Sequence, residues 1–196
     1  MIDLVKENNW MKTIRLTLIG FLIGFTFNVA ARSEQDTSQT KDADRGYIVQ
    51  VGDQAPDNFE LVLHDGSKTS LKELRGKIVL LQFTASWCVV CRKEMPYLER
   101  DIWQAYKDKD VVLIGVDRDE PLETVLKFHR DMNITYPLAL DPGAGIFQQF
   151  ADKKAGVTRN VLIDRTGKIR FLTRLYDEAE FAQLVQAVDN LTKEQH

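Results

Sequence analysis

The chain contains two cysteines, and they stand together as Cys88-Val89-Val90-Cys91. Two cysteines cannot build a multi-disulfide framework, and they cannot complete a four-cysteine zinc site. They can close one disulfide. A bridge over so short a loop adds little chain-entropy stabilisation, because that contribution grows with loop length. The spacing is poor for a staple and suited to redox chemistry. The residues before the pair narrow the fold. Ile78–Phe83 (IVLLQF) is an apolar run rich in β-formers, as in a strand buried on both faces. The residues after it, from about Val89 to Lys107, read as a helix. Cys88 therefore falls where a buried strand turns into a helix. Unpaired N–H groups and about half a positive charge at a helix N-terminus favour the thiolate, which is the nucleophile. Cys91, roughly one turn further on, can reach back as the resolving thiol. Trp87 would flank the nucleophile as an apolar wall.

The rest of the pattern is that of an α/β domain. Asn58–Leu63 alternates as a strand does, and His64-Asp65-Gly66-Ser67 is a turn signal. Ser70–Leu74 carries a capping pattern for one helical turn. Val111–Val116 is a second buried strand, and Leu122–Met132 is an amphipathic helix. A short helix over Ile146–Phe150 follows the breaker Asp141-Pro142-Gly143. Asn160–Ile163 and Lys168–Thr173 make a hairpin, and Asp177–Leu191 a closing helix. Strands that alternate with helices pair in parallel through right-handed crossovers, and the late hairpin adds an antiparallel edge.

The length of 196 residues allows one domain. Hydrophobic residues are 44% and charged residues 28%, which is ordinary globular usage. A formal net charge of −3 gives no sign of a nucleic-acid-binding surface. The N-terminus departs from this pattern. Lys12 and Arg15 precede an apolar run from Leu16 to Ala31 that ends in small side chains. A charged start, a short apolar run and a small-residue exit mark a secretory leader, with an uncleaved membrane anchor as the alternative. No cysteine lies near Ala31 to take a lipid. The expected division is residues 1–31 as signal peptide or anchor, 32–46 as a disordered linker, and 47–196 as the domain. Export would place the cysteines in an oxidising compartment, the periplasm, where a disulfide persists.

These residues resemble the thioredoxin superfamily, and within it the exported TlpA/ResA-like thiol-disulfide oxidoreductases. The likeness is carried by Gly52-Asp53-Gln54-Ala55-Pro56, by Leu74-Arg75-Gly76-Lys77, by the block from Phe83 to Pro96 (FTASWCVVCRKEMP), and by Leu162-Ile163-Asp164 with Gly167-Lys168. The G-D-x-A-P element is shared with peroxiredoxins. The resemblance implies a thioredoxin-like fold: a central mixed β-sheet flanked by helices, with an N-terminal β-hairpin extension. It implies that Pro96 kinks the helix opened by Cys88, and that Glu120 sits near the cysteines and assists proton transfer. The sequence departs from the superfamily pattern in three places. Gln82 stands where thioredoxin has a buried aspartate. Val89-Val90 separates the cysteines, so the redox direction stays open. Thr158 fills the slot of the usual cis-proline, and a trans bond is expected, since a non-proline cis bond costs roughly 3–4 kcal/mol. Arg159 would then lie near Cys88 and favour its thiolate.

The functional expectation is an exported thiol-disulfide oxidoreductase that reduces or exchanges disulfides of proteins or small molecules. Its only redox group would be the Cys88–Cys91 disulfide, with no separate cofactor. A membrane-bound or exported thiol donor would regenerate it, and the N-terminal segment could tether it to the membrane. The candidate site residues are Cys88, Cys91, Trp87, Glu120, Thr158 and Arg159. A thiol peroxidase of peroxiredoxin type is the alternative enzyme, suggested by Arg159. It is weakened because Ala85 stands where that class needs a threonine. A soft-metal chaperone is the non-enzymatic alternative, without a nearby histidine or methionine ligand.

Overall fold

A computed structural model describes residues 45–194. The expected leader and most of the expected linker lie outside these residues. The fold is organised by one strand, β3 (Ile78–Thr84), in which every residue is buried. Successive side chains of a strand point to opposite faces, so a strand buried along its whole length needs cover on both. Val79, Leu81 and Phe83 enter one cluster with Tyr47, Phe147, Phe150 and both cysteines. Ile78 and Leu80 enter the other, with Met95, Leu98, Phe128, Leu184 and Val188.

Seven strands make the sheet. The others are β1 (Leu61–Leu63), β2 (Lys68–Thr69), β4 (Val111–Arg118), β5 (Leu138–Asp141), β6 (Arg159–Ile163) and β7 (Ile169–Arg174), in the order β2-β1-β5-β4-β3-β6-β7. β3 pairs in parallel with β4, and β4 with β5. β6 runs antiparallel to β3, and β7 antiparallel to β6. β1 and β2 form an N-terminal hairpin on the far edge. The helices are α1 (Val89–Tyr97), α2 (Gln104–Tyr106), α3 (Leu122–Met132) and α4 (Glu178–Lys193). The architecture is the thioredoxin-like mixed sheet flanked by helices.

Three differences from the sequence expectations have physical causes. β5 is four residues long and lies between Pro137 and Pro142, too short to show periodicity. The single long helix expected over Val89–Lys107 is divided. Pro96 lies inside α1 and cannot donate its backbone hydrogen bond, and the chain passes into π-helical turns over Leu98–Trp103 before α2. Arg45 and Gly46, expected in the linker, are held by the domain. Arg45 pairs with Glu180 at 2.7 Å, and its carbonyl accepts from Arg159 Nη1. Among the described residues no helix is long and apolar enough to cross a membrane.

Candidate active site

β3 ends at Thr84, and α1 begins at Val89. Four residues bridge them. Cys88 occupies the N-cap, with an extended backbone (φ −83°, ψ 101°), and its Sγ accepts a hydrogen bond from the Cys91 amide at 3.1 Å. Cys88 and Cys91 are joined as a disulfide, with Cα atoms 5.3 Å apart. The two sulfurs are not equally accessible. Cys88 is 7% exposed and Cys91 is fully buried. Trp87 and Val89, on either side of Cys88, are 63% and 79% exposed. An incoming disulfide thus meets an apolar rim with Cys88 at its centre.

The turn that presents Cys88 is gripped from two sides. Glu120 accepts from the Ser86 amide at 2.5 Å through one oxygen and from the Ser86 hydroxyl at 2.6 Å through the other. Arg92 Nε donates to the Ser86 carbonyl at 2.8 Å, and its guanidinium lies over the Phe128 ring. Glu120 therefore bears on the backbone two residues before Cys88, and none of its hydrogen bonds goes to a sulfur.

Thr158 sits just before β6 with its hydroxyl 3.2 Å from Cys88 Sγ and 3.3 Å from Cys91 Sγ. The described residues contain no cis peptide bond. A threonine here places a hydroxyl where a proline would place only carbon. In the reduced protein that hydroxyl can donate to a thiolate.

Arg159 takes a different place from the one expected of it. Its position in β6 is opposite Phe83, and its buried guanidinium lies over the Tyr47 ring at 4.6 Å, close to Phe147, with Nη1 donating to the Arg45 carbonyl. These contacts bind the start of the described chain to the sheet and do not include either sulfur. Ala85 is buried and offers no hydroxyl to Cys88.

A buried polar group lies on the opposite face of the sheet. Glu94 is on α1, one turn beyond Cys91, and is 1% exposed. Asn160 Nδ2 donates to its Oε1 at 2.7 Å and Gln82 Nε2 to its Oε2 at 3.4 Å. Gln82 in turn accepts from the Tyr136 hydroxyl at 2.8 Å. Gln82 and Asn160 are register partners on β3 and β6. Burial pushes the Glu94 carboxyl up to about 7, and the two amide donors only partly offset that. The acid that β3 lacks at Gln82 is supplied instead from the helix, against the same side chain. Sequence reasoning gave Glu94 no role. The usable signal was a charged residue on the buried stripe Cys91, Met95, Leu98 and Ile102. Ser86 and Asp117 had no such signal.

The chain resembles known proteins in ways that agree with this geometry. Residues 51–172 match the AhpC/TSA family. The thiol-disulfide oxidoreductase ResA of Bacillus cereus (strain ATCC 10987 / NRS 248) is 30% identical over 166 residues, covering 84% of this chain and 87% of that protein. A solution structure from Bacteroides thetaiotaomicron, assigned as a protein disulfide isomerase, is 61% identical with a TM-score of 0.74, over 76% of this chain and 94% of that one. A crystal structure from Chlorobium tepidum, assigned as a thiol:disulfide interchange protein DsbE, is 28% identical with a TM-score of 0.66, over 74% of this chain and 99% of that one. The chain belongs to the AhpC/TSA family and is a thiol-disulfide oxidoreductase of the thioredoxin fold.

Proposed function

We propose that this protein works outside the cytoplasm as a disulfide reductase or exchanger, with Cys88 as the attacking residue and Cys91 as the resolving one. The observation that carries the assignment is the unequal exposure of two sulfurs that share one hydroxyl partner, Thr158. In the reduced protein, the Cys88 thiolate attacks one sulfur of a substrate disulfide. A Cys88–substrate disulfide forms, and the other substrate sulfur leaves as a thiolate that takes up a proton. Cys91 then loses its proton and attacks Cys88 Sγ. The Cys88–Cys91 disulfide forms, and the second substrate sulfur leaves as a thiol. The substrate has gained two electrons and two protons. With no third cysteine in the chain, the electrons that restore the dithiol come from another molecule, an external thiol donor. Glu120 holds the turn before Cys88 through Ser86 while these steps proceed. The leader-like N-terminus and the redox pair together favour the periplasm, where substrates carry disulfides.

The test is reduction of insulin in the presence of dithiothreitol, with Cys91→Ala as the companion variant. The wild-type protein accelerates insulin precipitation, and Cys91→Ala accumulates a mixed disulfide through Cys88. Absence of both results refutes the assignment. The family match also admits a thiol peroxidase. The buried Ala85 and the engagement of Arg159 by Tyr47 disfavour it, and hydrogen peroxide consumption no faster than that of free cysteine removes it.

A further inference from the structure

Glu120 can hold Ser86 only while its carboxylate faces inward, and a second carboxyl stands against it there. Asp117 lies near the end of β4, opposite Thr84 of β3 and Leu140 of β5. It is fully buried, and neither of its oxygens meets a hydrogen-bond donor among the described residues. Two residues beyond it the chain turns sharply. Asp119 adopts a left-handed backbone (φ 59°), held by its amide to the Asp141 carbonyl and by its side chain to the Gly143 amide. That reversal brings Glu120 back within hydrogen-bonding reach of Asp117. Two ionised carboxylates in that arrangement repel each other, and the buried Asp117 lacks the solvent that would screen its charge. One shared proton removes the conflict and gives each group a partner.

We propose that Asp117 is a positioning residue for Cys88: its carboxyl O–H donates to Glu120 and keeps that carboxylate on Ser86, two residues before the nucleophile. The charged groups around Asp117 agree on which member holds the proton. From the turn after β4 it faces Glu120, and from the end of β5 it faces Asp141. Asp141 accepts from the Ile146 and Phe147 amides, and Arg118 and Asp119 act on it in opposite senses. Glu120 already receives two donors from Ser86, so it is the better place for the negative charge. Burial and Glu120 push the Asp117 carboxyl up to about 8. Above that value Asp117 ionises, and the repulsion turns Glu120 away from Ser86. Arg92 is then the side chain left holding Ser86. The loss of one proton at Asp117 thus loosens the presentation of the attacking sulfur.

The proposal rests on Cys88 being the attacking residue. Its test is read at Ser86 in the oxidised protein, where neither cysteine titrates, so it succeeds or fails independently of insulin reduction. The amide resonance of Ser86 is followed by ¹⁵N–¹H correlation spectra from about pH 6 to about pH 10. In the wild type it moves through one titration in the alkaline range, near 8. In Asp117→Asn, which keeps a donor and cannot ionise, that titration is lost while the low-pH resonance position is retained. An Asp117→Asn profile that matches the wild type overturns the proposal, as does a wild-type Ser86 amide that does not titrate. A direct measurement guards against a variant that fails to fold. With ¹³C-labelled aspartate in the wild-type protein, the Asp117 carboxyl carbon must report the protonated form at about pH 6.5. An ionised signal there refutes the shared proton.

Discussion

Replacing Glu94 with glutamine removes one buried ionisable group while keeping its size, and its effect on stability can be worked out in advance. The free carboxyl titrates at 4.5 and the buried one at about 7. At 1.36 kcal/mol per pH unit, that gap is worth about 3 kcal/mol. Below pH 4.5 the folded and unfolded states both carry the proton, and the residue contributes its full stability. As pH rises through 4.5 the unfolded chain releases the proton and the folded protein keeps it, so stability falls. The loss is complete once the folded carboxyl ionises near 7. Glu94→Gln has no such loss. The assay is urea unfolding of the oxidised protein, wild type and variant, at intervals between pH 4.5 and 8. Asp117 and Asp141 also have carboxyls raised by burial, but their contributions appear in both proteins and cancel in the difference. The unfolding free energy of the variant relative to wild type should therefore rise by about 3 kcal/mol across this range. With a urea slope of about 2 kcal/mol per molar, this appears as a midpoint gain of about 1.5 M. At the acid end the two proteins should be close, because the new amide can meet Asn160 if that side chain turns over, and Asn160 Oδ1 has no partner among the described residues. A relative stability that stays flat with pH would show that Glu94 is ionised in the folded protein or titrates normally, and the account of its burial would fail.

Other outcomes follow from the same contacts. Thr158→Ala removes the hydroxyl shared by the two sulfurs. A lost hydrogen bond to a charged group of about 1.5 kcal/mol raises the Cys88 thiol by about one pH unit, measured as the pH dependence of its alkylation by iodoacetamide; an unchanged profile refutes a donor role. Gly115, in the middle of β4 opposite Gln82, has Leu138, Tyr136 and Gln82 packed where a Cβ would go. Gly115→Ala should cost about 1–3 kcal/mol and lower the melting temperature without altering alkylation of Cys88; a neutral melt would mean that Leu138 repacks freely. Arg92→Ala removes the donor to the Ser86 carbonyl and the cation over Phe128. It should weaken folding by about 1–2 kcal/mol and slow disulfide exchange, and equal exchange rates would show that Glu120 holds the turn unaided.

Much of the architecture follows from local pattern, as β3 and α3 illustrate. A strand dominated by apolar β-formers, an amphipathic helix of three turns and a breaker are each set by residues close in the chain, and their boundaries were legible. β5 was not, because four residues between two prolines carry no period. The division of the helix after Cys88 was only half legible: Pro96 announces a disturbance, but the π-helical turns after it depend on what Leu98 and Ile102 pack against.

The same division holds at the site. By itself, the order of residues determined that two cysteines stand at a strand-to-helix junction one turn apart, and hence that thiol-disulfide exchange is their chemistry, because the helix N-terminus and the spacing are both local properties. Only the tertiary structure decided which groups bear on them. Thr158 lies 70 residues from Cys88, and its hydroxyl reaches both sulfurs because β6 pairs beside β3. Arg159, the next residue, is carried to the Tyr47 ring instead. Glu94 becomes a buried acid through Gln82 and Asn160, which meet only across the β3–β6 register. Asp117 and Glu120 become a carboxyl pair because Asp119 reverses the chain beneath Ser86. A pattern of neighbours along the chain sets which bonds can form in a turn or a strand. The protonation and placement of the site depend on burial and on charges from distant segments, which no local pattern contains.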